Sequence, residues 1–348
     1  MNEHTILVHV QDLLRDGRVD EARDCLLRAL ARAPLDGALC NAMALVVKRR
    51  TGPAAAVPWL RRALLVNPDD AMALNNLANI LLFEENDPAT AAALLQRVTE
   101  LAPTYATGHN NLAFALYGLG RLEDSVAACD RALAIEPDHV EAHINRAHAN
   151  LALGRYAEGW TDYEWRWRRP GAETRAWPVP AWEGEDPAGR TILLHAEQGY
   201  GDAIQFIRFA PLVAARGARV VVEVPASLVG VLRTAPGCER VVASGVDEPF
   251  DLHCPLLSLP RVLGIGTGEG RVAVPYLRPE PALVRDWAEK LACAEPVRIG
   301  IIWAGNAEFP SDRQRSPRLE PLAPLLTSPR MRFFGLQMGD GRRDLDGR

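Results

Sequence analysis

One loop in the second half of the chain combines side chains and backbone freedom that could serve catalysis: residues 195–206, HAEQGYGDAIQF. It follows an apolar run, TILLHAE, that predicts a strand, and it precedes a helical pattern. Gly199 and Gly201 would let the backbone turn tightly and approach a ligand, and Asp202 would open the helix near its positive end. Parallel sheets bind ligands beyond the carboxyl ends of their strands, so the loop is a candidate site. The alternative is a tight turn in which Asp202 only caps the helix.

The segments around this loop predict a parallel sheet. The first strand is followed by a helix over 202–216, a strand at ARVVVEVP, a helix over 226–235 and a strand at ERVVAS. Strands that alternate with helices indicate right-handed crossovers and parallel pairing. A second series consists of a strand at VRIGIIWAG, a short helix over 319–326 and a strand at MRFFGLQMG.

The first half carries an internal repeat. Four helical phrases end in proline, RALARAP, RALLVNP, RVTELAP and RALAIEP, and recur at intervals of 34, 35 and 34 residues. Alanines fall where two helices must approach closely, and Gly17, Gly120 and Gly154 fall near the predicted turns. This is the period of tetratricopeptide repeats, which the chain resembles over about residues 3–170, including a degenerate fifth repeat. The resemblance implies stacked helix pairs whose concave surface binds a polypeptide.

Asparagines recur at two adjacent positions of the predicted repeats. An amide can both donate to and accept from a peptide backbone, and the pattern resembles the asparagine ladder of the O-linked N-acetylglucosamine transferases, whose repeats hold an extended acceptor polypeptide. The alternative is that these amides cap helices or bond within the protein. The candidate groove residues are Asn41, Asn75, Asn76, Asn110, Asn111 and Asn145.

The second half also resembles a known family. The motifs EQGYGDAIQFIRFAPLVAARGARVVVEV, FDLHCPLLSLPRVLG, VPYL and RIGIIWAGN with DRQRS downstream occur in this order between residues 190 and 339. They resemble bacterial proteins in which tetratricopeptide repeats precede a glycosyltransferase of the two-Rossmann (GT-B) kind, related to the heptosyltransferases. The resemblance implies transfer of a sugar from a nucleotide-sugar donor, with neither a metal nor a further cofactor.

The resemblance also assigns roles at the glycine loop. The acidic residue after the loop, Asp202, is the expected general base, which would take the proton of the acceptor as the anomeric carbon of the sugar is attacked. Glu197 is the second candidate for this role. The loop that would meet the acceptor comprises Gln198, Gly199, Tyr200 and Gly201.

A second polar segment, WAGNAEFPSDRQRS, lies at the donor cleft in the resembling family. Cationic and hydroxyl groups there can meet a nucleotide diphosphate. The alternative is a solvated surface loop. The donor-side candidates are Asn306, Asp312, Arg313, Arg315 and Ser316.

Five of the eight tryptophans lie close together around the junction of the two halves. Aromatic rings dominate buried contacts wherever they cluster, so we expect them to pack the last repeat against the second half of the chain. Stacking of a sugar on these rings is the alternative. The five are Trp160, Trp165, Trp167, Trp177 and Trp182.

Composition excludes some classes of function. A formal net charge of −5 argues against a nucleic-acid surface. The N-terminus lacks the order of a signal peptide, and no apolar run is long enough to span a bilayer, so we expect a cytoplasmic protein. The six scattered cysteines, among them Cys129 and Cys293, predict buried thiols rather than a disulfide framework. His139, His143 and His148 lack the further ligands of a metal site.

These patterns together predict an α plus α/β chain with four segments. Residues 1–170 form the tetratricopeptide solenoid, 171–189 a Pro/Gly/Trp-rich junction, 190–295 a Rossmann-like half of a GT-B fold, and 296–348 the start of a second half. The later family motif of the form DTAVAHLAG is missing, so we expect a truncated relative of an enzyme. The alternative function is a non-catalytic interaction scaffold.

Overall fold

A computed structural model describes residues 3–172, 175–245, 248–266, 274–292, 297–307, 312–328 and 330–346. The chain divides into two compact units. One comprises Met1–Pro68, Asn76–Asp87 and Pro281–Arg348, and the other comprises Asp69–Asn75 and Pro88–Glu280. The four-segment division stays a prediction. The second unit contains the later repeats together with the glycine loop, so it holds most of the candidate site.

Helices fill the described part of the chain up to residue 163. They are α1 (Glu3–Arg15), α2 (Val19–Leu30), α3 (Gly37–Thr51), α4 (Val57–Val66), α5 (Ala71–Phe83), α6 (Pro88–Leu101), α7 (Ala106–Gly118), α8 (Leu122–Ile135), α9 (Val140–Ala152) and α10 (Tyr156–Tyr163).

The small residues predicted at helix contacts are buried. Ala113 and Ala147 of the first helices, and Ala132 of a second helix, have no exposed surface. Gly120 and Gly154 adopt φ angles of 72° and 76° in the turns between helices, a conformation that favours glycine. Within the second unit, α7, α8, α9 and α10 each pack against the next. The predicted helical repeats are therefore confirmed.

The last helix pair is shorter than the others. Helix α10 ends at Tyr163, and a 3-10 helix continues over Glu164–Arg168. The degenerate fifth repeat stays a prediction. The 3-10 segment turns the chain toward the α/β region, and it supplies buried polar side chains to that region.

A four-stranded parallel sheet comes next, with the strand order β3-β2-β1-β4. The predicted parallel pairing is confirmed, and β4 is a strand that the sequence patterns did not predict. Since β2 and β4 lie on opposite sides of β1, the order of the strands reverses beside β1. The elements are β1 (Thr191–His195), α11 (Tyr200–Phe206), α12 (Ala210–Ala214), β2 (Arg219–Val224), α13 (Ala226–Leu232), β3 (Arg240–Ala243), β4 (Leu252–Pro255) and α14 (Leu259–Leu263).

The helix predicted over 202–216 is not continuous. Helix α11 ends at Phe206, a 3-10 turn spans Ile207–Phe209, and α12 begins at Ala210. Pro211 explains the break, because proline fits the first turn of a new helix but cannot donate within an old one. Both helices pack on the same face of the sheet as Ile192 and Val222.

The two faces of the sheet are covered differently. On the face opposite the helices, Leu193, Val221 and Val242 form a small apolar cluster. Trp177 and Phe250 pack against this cluster. One residue of the junction and one residue just before β4 thus pack on a face that helices cover in most parallel sheets.

The described end of the chain forms a small parallel pair of strands, again as predicted. Strands β5 and β6 pair with Ile299 opposite Phe333. Trp303 is buried and donates its indole N–H to the carbonyl of Gly341 at 2.9 Å. The remaining elements are α15 (Pro281–Lys290), β5 (Val297–Ile301), α16 (Asp312–Arg315), α17 (Ala323–Leu326) and β6 (Met331–Gly335).

Gly159 gives a sharp test of the packing of the last repeat. A Cβ atom there would lie 2.7 Å from Cγ of Leu151 and 3.1 Å from the backbone nitrogen of Leu151. We expect Gly159→Ala to lower the free energy of unfolding by about 1–3 kcal/mol, because it overpacks the contact of α9 with α10. Urea unfolding followed by circular dichroism measures the change.

The matched control is Gly230→Ala in α13. A Cβ at this exposed glycine meets no described atom within 4 Å. We expect it to raise stability by up to about 1 kcal/mol, since alanine favours helix over glycine. Equal effects of the two substitutions would contradict the packing of α9 on α10.

Candidate functional site

A cavity of about 770 Å³ lies at the carboxyl edge of the four-stranded sheet. Its wall includes the residues that come after β1, from His195 to Gln198, and Pro255 at the end of β4. The end of the repeat region contributes Glu164 and Trp167 to the same wall. The cavity therefore lies where the strand order reverses, which is where open parallel sheets bind ligands.

A buried guanidinium joins the repeats to this edge. The side chain of Arg166 is 5% exposed, and its Nη2 donates to Glu197 Oε1 and to Ser258 Oγ, both at 2.8 Å. Its Nη1 donates to Glu164 Oε1 at 2.8 Å. The Ser258 hydroxyl in turn donates to Glu164 Oε1 at 2.9 Å. Two carboxylates and one hydroxyl thus surround a single cation.

The carboxyl group of Glu197 occupies an unusual environment. Its side chain is 6% exposed, and its Oε2 has no hydrogen-bond partner among the described residues. Burial raises the pKa of Glu197 to about 7, although the nearby Arg166 cation opposes this change. An acid with a pKa near neutrality can both accept and return a proton at physiological pH.

The structure places Asp202 in a helix cap. Its Oδ2 accepts from the backbone N–H of Gly199 at 3.1 Å, as the third residue of a capping box for α11. Asp202 is not among the residues found to line the cavity in the described structure. The two carboxylates of the predicted site are thus separated in role: Glu197 lines the cavity, and Asp202 stabilises the turn.

The other loop residues make local contacts. Gln198 lines the cavity, and its Oε1 accepts from the Tyr163 hydroxyl at 3.2 Å. Tyr200 is more than half exposed, and its hydroxyl accepts from Ser227 Oγ at 2.9 Å. Gly201 is the second residue of α11 and is exposed.

A cluster of two histidines and a tryptophan lies on another part of the cavity wall. His195 and His253 approach each other at 3.3 Å between Nε2 and Nδ1, and the Trp177 ring stacks on His253 at 4.8 Å. Arg175 lies 4.0 Å above Trp177 and pairs with Glu223 at 2.8 Å. Burial lowers the pKa of His195 to about 3 and also lowers that of His253. Both imidazoles are therefore neutral at pH 7.

The five tryptophans divide between packing and the cavity. Trp160 meets Phe206 edge-on at 5.5 Å, Trp165 stacks on His143 at 3.7 Å, and Trp182 is almost fully buried in the core of the sheet. Trp167 and Trp177 line the cavity together with Trp182. Packing of the last repeat against the sheet is thus present, and two half-buried rings remain beside the space for a ligand.

The repeated asparagines bond to one another. In one unit, Asn76 donates its Nδ2 to Asn41 Oδ1 at 2.9 Å. In the other unit, Asn111 donates to Asn75 and Asn145 donates to Asn110, each at 2.9 Å. Asn75 and Asn110 are buried, whereas the three donors are half-buried. The alternative that these amides bond within the protein is therefore present in the structure. Each donor amide uses one of its hydrogen-bonding positions in this way.

The donor-side residues form an internal turn. Ser316 donates its hydroxyl to Asp312 Oδ1 at 2.6 Å and accepts from the backbone N–H of Gly305 at 2.8 Å. Asp312 and Ser316 are both buried. Arg315 is exposed and Asn306 is exposed, whereas the side chain of Arg313 lies outside the described structure.

The cysteines and the three repeat histidines have structural surroundings. Burial raises the pKa of Cys129 to about 12, which keeps its thiol protonated and unreactive. Cys293 lies outside the described residues. His139 caps α9 by accepting from Ala142 N at 3.2 Å, and His143 bonds Asp162 Oδ1 at 2.9 Å. The described residues hold no group of three potential metal ligands, and they hold no helix long and apolar enough to cross a membrane.

Comparison with known proteins identifies the repeats. Models of the tetratricopeptide repeat match residues 82–134 in one case and residues 41–106 and 110–164 in another. The chain contains tetratricopeptide repeats. These repeats mediate interaction with other proteins through their stacked helices.

Two curated proteins are similar to parts of this chain. Protein FlbA of Caulobacter vibrioides is 27% identical over 350 residues, which is 91% of this chain and 57% of FlbA. The TPR repeat-containing thioredoxin TTL4 of Arabidopsis thaliana is 34% identical over 77 residues, or 22% of this chain and 11% of TTL4. The chain thus spans little more than half of the length of the first of these relatives.

Solved structures overlap about half of the chain. PilF of Pseudomonas aeruginosa has a TM-score of 0.45 and 19% identity, covering 49% of this chain and 77% of PilF. MamA from Desulfovibrio magneticus RS-1 has a TM-score of 0.40 and 22% identity, covering 48% of this chain and 94% of MamA. None of these four proteins is named as a glycosyltransferase.

Sequence patterns missed the partners of the buried carboxylate. Arg166 stands in the sequence EWRWRR, where it is one of several cations, and Ser258 lies in an apolar run. The available signal was a charged residue between two tryptophans. Clustered aromatic rings tend to be buried, so a charged residue between them is expected to be buried as well and to need partners.

The pH dependence of stability tests the environment of Glu197. The folded state holds its proton up to about pH 7, whereas the ordinary value is 4.5. Between these values the folded state binds more protons at Glu197 than the unfolded chain, so the contribution of Glu197 to the free energy of unfolding falls as the pH rises, by up to about 1.4 kcal/mol per pH unit. Buried histidines with lowered pKa values, such as His195, contribute in the opposite direction below pH 6.5. We expect Glu197→Gln to remove only the falling contribution, so the pH slope of its free energy of unfolding should be more positive than that of the wild type in urea unfolding measured from pH 4.5 to 8.

An exposed carboxylate provides the control. Glu158→Gln on α10 should keep the wild-type dependence, because Glu158 is exposed. If the wild type and Glu197→Gln show the same slope between pH 4.5 and 7, then Glu197 ionises normally in the folded protein.

Proposed function

We propose that the tetratricopeptide repeats bind an extended polypeptide, and that the α/β region is a glycosyltransferase-like region in which the cavity receives the acceptor hydroxyl. The observation that carries the catalytic part is the buried Glu197, with one carboxylate oxygen directed to no described partner, on the wall of a cavity at the strand-order reversal. The division of the chain into repeats, junction and two partial Rossmann halves belongs to this proposal.

Polypeptide binding is argued from the chemistry of the half-buried amides. Asn111 and Asn145 each use one N–H in a bond to the preceding repeat, which fixes the orientation of the amide. An amide held in this way keeps a carbonyl oxygen and a second N–H for a ligand. Because these groups repeat along the second unit, they match the regular N–H and C=O groups of an extended peptide.

A peptide-display selection against the purified chain tests this binding. We expect the selected peptides to bind the wild type and to bind the Asn111→Ala, Asn145→Ala double variant at least about fivefold more weakly, since each lost bond contributes roughly 1 kcal/mol. Fluorescence anisotropy of a labelled peptide measures the affinity. Asn67→Ala, in the exposed turn after α4, is the control and should bind as the wild type does.

If the double variant keeps full affinity while remaining folded, the peptides bind elsewhere. Selection of no peptide above background would count against polypeptide binding by the repeats altogether.

The transfer step assigns the base to Glu197 in preference to Asp202. The carboxylate of Glu197 would take the proton of the acceptor hydroxyl while the acceptor oxygen forms a bond to the anomeric carbon. The bond between that carbon and the nucleotide diphosphate breaks, and the diphosphate leaves with the electron pair. Asp202 already accepts from Gly199, so its role is to hold the loop. Trp167 lines the cavity and offers a ring face on which a sugar or peptide can stack.

A non-catalytic scaffold is the second candidate. Asp312 and Ser316 bond to each other and to Gly305, which favours a structural turn over a donor site. In that case the repeats do all of the binding.

Release of nucleotide from a panel of nucleotide sugars, with a selected peptide as acceptor, separates the two candidates. We expect release that rises as the pH passes about 7, in step with ionisation of Glu197. Glu197→Gln should lower the rate about 10²- to 10⁴-fold, the usual contribution of a general base. Asp202→Asn should stay within about tenfold of the wild type, because an amide oxygen can still accept from Gly199.

The scaffold is the correct function if peptide binding is retained and calorimetry detects no binding of any donor. A large loss of rate in Asp202→Asn, with Glu197→Gln unaffected, would return the role of base to Asp202.

A further inference from the structure

Arg166 has the geometry of a residue that acts on the site through another side chain. It lies three residues beyond α10, in the 3-10 helix that ends the repeats. Its guanidinium lies between two rings, 5.1 Å from the centre of Tyr163 and 4.6 Å from that of Trp167. These rings fix its plane, so both Nη groups point to acceptors in the α/β region.

The bonds from Arg166 reach two separate parts of the α/β region. Nη2 donates to Glu197 after β1 and to Ser258 after β4, each at 2.8 Å. Only Oε1 of Glu197 is used in this bond, and Oε2 has no partner in the described structure. The bond therefore fixes the carboxyl group of Glu197, a residue that lines the cavity, through one of its two oxygens.

We propose that Arg166 of the repeat region is the positioning residue of the site, which fixes the Glu197 carboxyl group through Oε1 and favours its ionised form against the effect of burial. The repeats then supply part of the machinery as well as the partner-binding surface. The catalytic meaning of this inference rests on the proposed transfer reaction, whereas the effect on ionisation does not.

Other groups around Glu197 act in both directions. Burial and the negative charge of Glu164 favour the protonated acid, whereas Arg166 and a backbone bond from Leu257 favour the carboxylate. The Glu164 carboxylate shares the Arg166 cation, since Nη1 donates to it at 2.8 Å. The ionisable side chains that face this cluster are those of Tyr163, Glu164, Arg166, His195, Cys254 and Arg261.

Carboxyl carbon-13 NMR of the full chain labelled in glutamate measures the ionisation of Glu197 directly. The signal that disappears in Glu197→Gln assigns the group. We expect a midpoint near pH 7 in the wild type, and a midpoint higher by about one unit or more in Arg166→Met, because removal of a neighbouring cation disfavours the carboxylate. Arg166→Lys, which keeps the charge, should return the midpoint most of the way.

Glu164→Gln provides a test of opposite sign. Removal of the competing carboxylate should lower the midpoint of Glu197, and the variant keeps the shape of the side chain and the Arg166 cation. If Arg166→Met does not fold, Arg166→Gln, which keeps hydrogen-bond donors without the charge, takes its place. An unchanged midpoint in the folded variants would overturn the proposal, since a merely structural arginine would leave the ionisation of Glu197 as it is.

The NMR titration needs neither donor nor acceptor, so its outcome is independent of the transfer assay. If the titration midpoint of Glu197 shifts in the variants but no sugar transfer is detected, the role of Arg166 stands and only the proposed reaction is refuted. Transfer that depends on Glu197, with midpoints that do not move, would refute only the role of Arg166.

Discussion

The burial of one cation constrains the arrangement of the second unit. Removing the guanidinium of Arg166 from water costs several kcal/mol, which its bonds must offset. Both of its Nη groups find acceptors, whereas its Nε has no partner in the described structure. Its acceptors come from three places in the sequence: Glu164 beside it, Glu197 after β1 and Ser258 after β4. The end of the repeats and the ends of two strands must therefore be in place together, and an error in any of them leaves a charge buried without a partner.

The sheet topology explains why these groups meet. The chain passes from β1 to β2 and on to β3 on one side of the sheet, and then returns to place β4 on the other side of β1. A space opens at the carboxyl ends of β1 and β4, where the strand order reverses. The 3-10 helix at Glu164–Arg168 and the segment that carries Trp177 close this space only in part. A cavity with polar walls results.

The repeats and the parallel sheet could be predicted because their signals are local. The 34-residue period, the buried alanines and the turn glycines each lie within one helix pair, and the strands β1 and β2 each contain a run of three apolar residues. Strand β4, with the sequence LHCP, is short and mixed in character, so no pattern distinguished it. The cluster around Arg166 could not be predicted, since its bonds join residues 31 and 92 positions apart. Asp202 lies at the start of a helix, as predicted. This was predictable because a capping bond depends only on residues that are near one another in the sequence.

The contrast between the two carboxylates bears on whether the α/β region serves chemistry. An acid that caps a helix has its bond to the backbone and gives stability on its own account, as Asp202 does. Glu197 does the opposite: burial raises its pKa, and one of its oxygens lacks a described partner. Replacing such a buried ion pair by well-packed apolar side chains often leaves stability unchanged or increases it. Such a pair is therefore not required for stability, and an acid with a pKa near neutrality is what the proposed transfer reaction would need as its base.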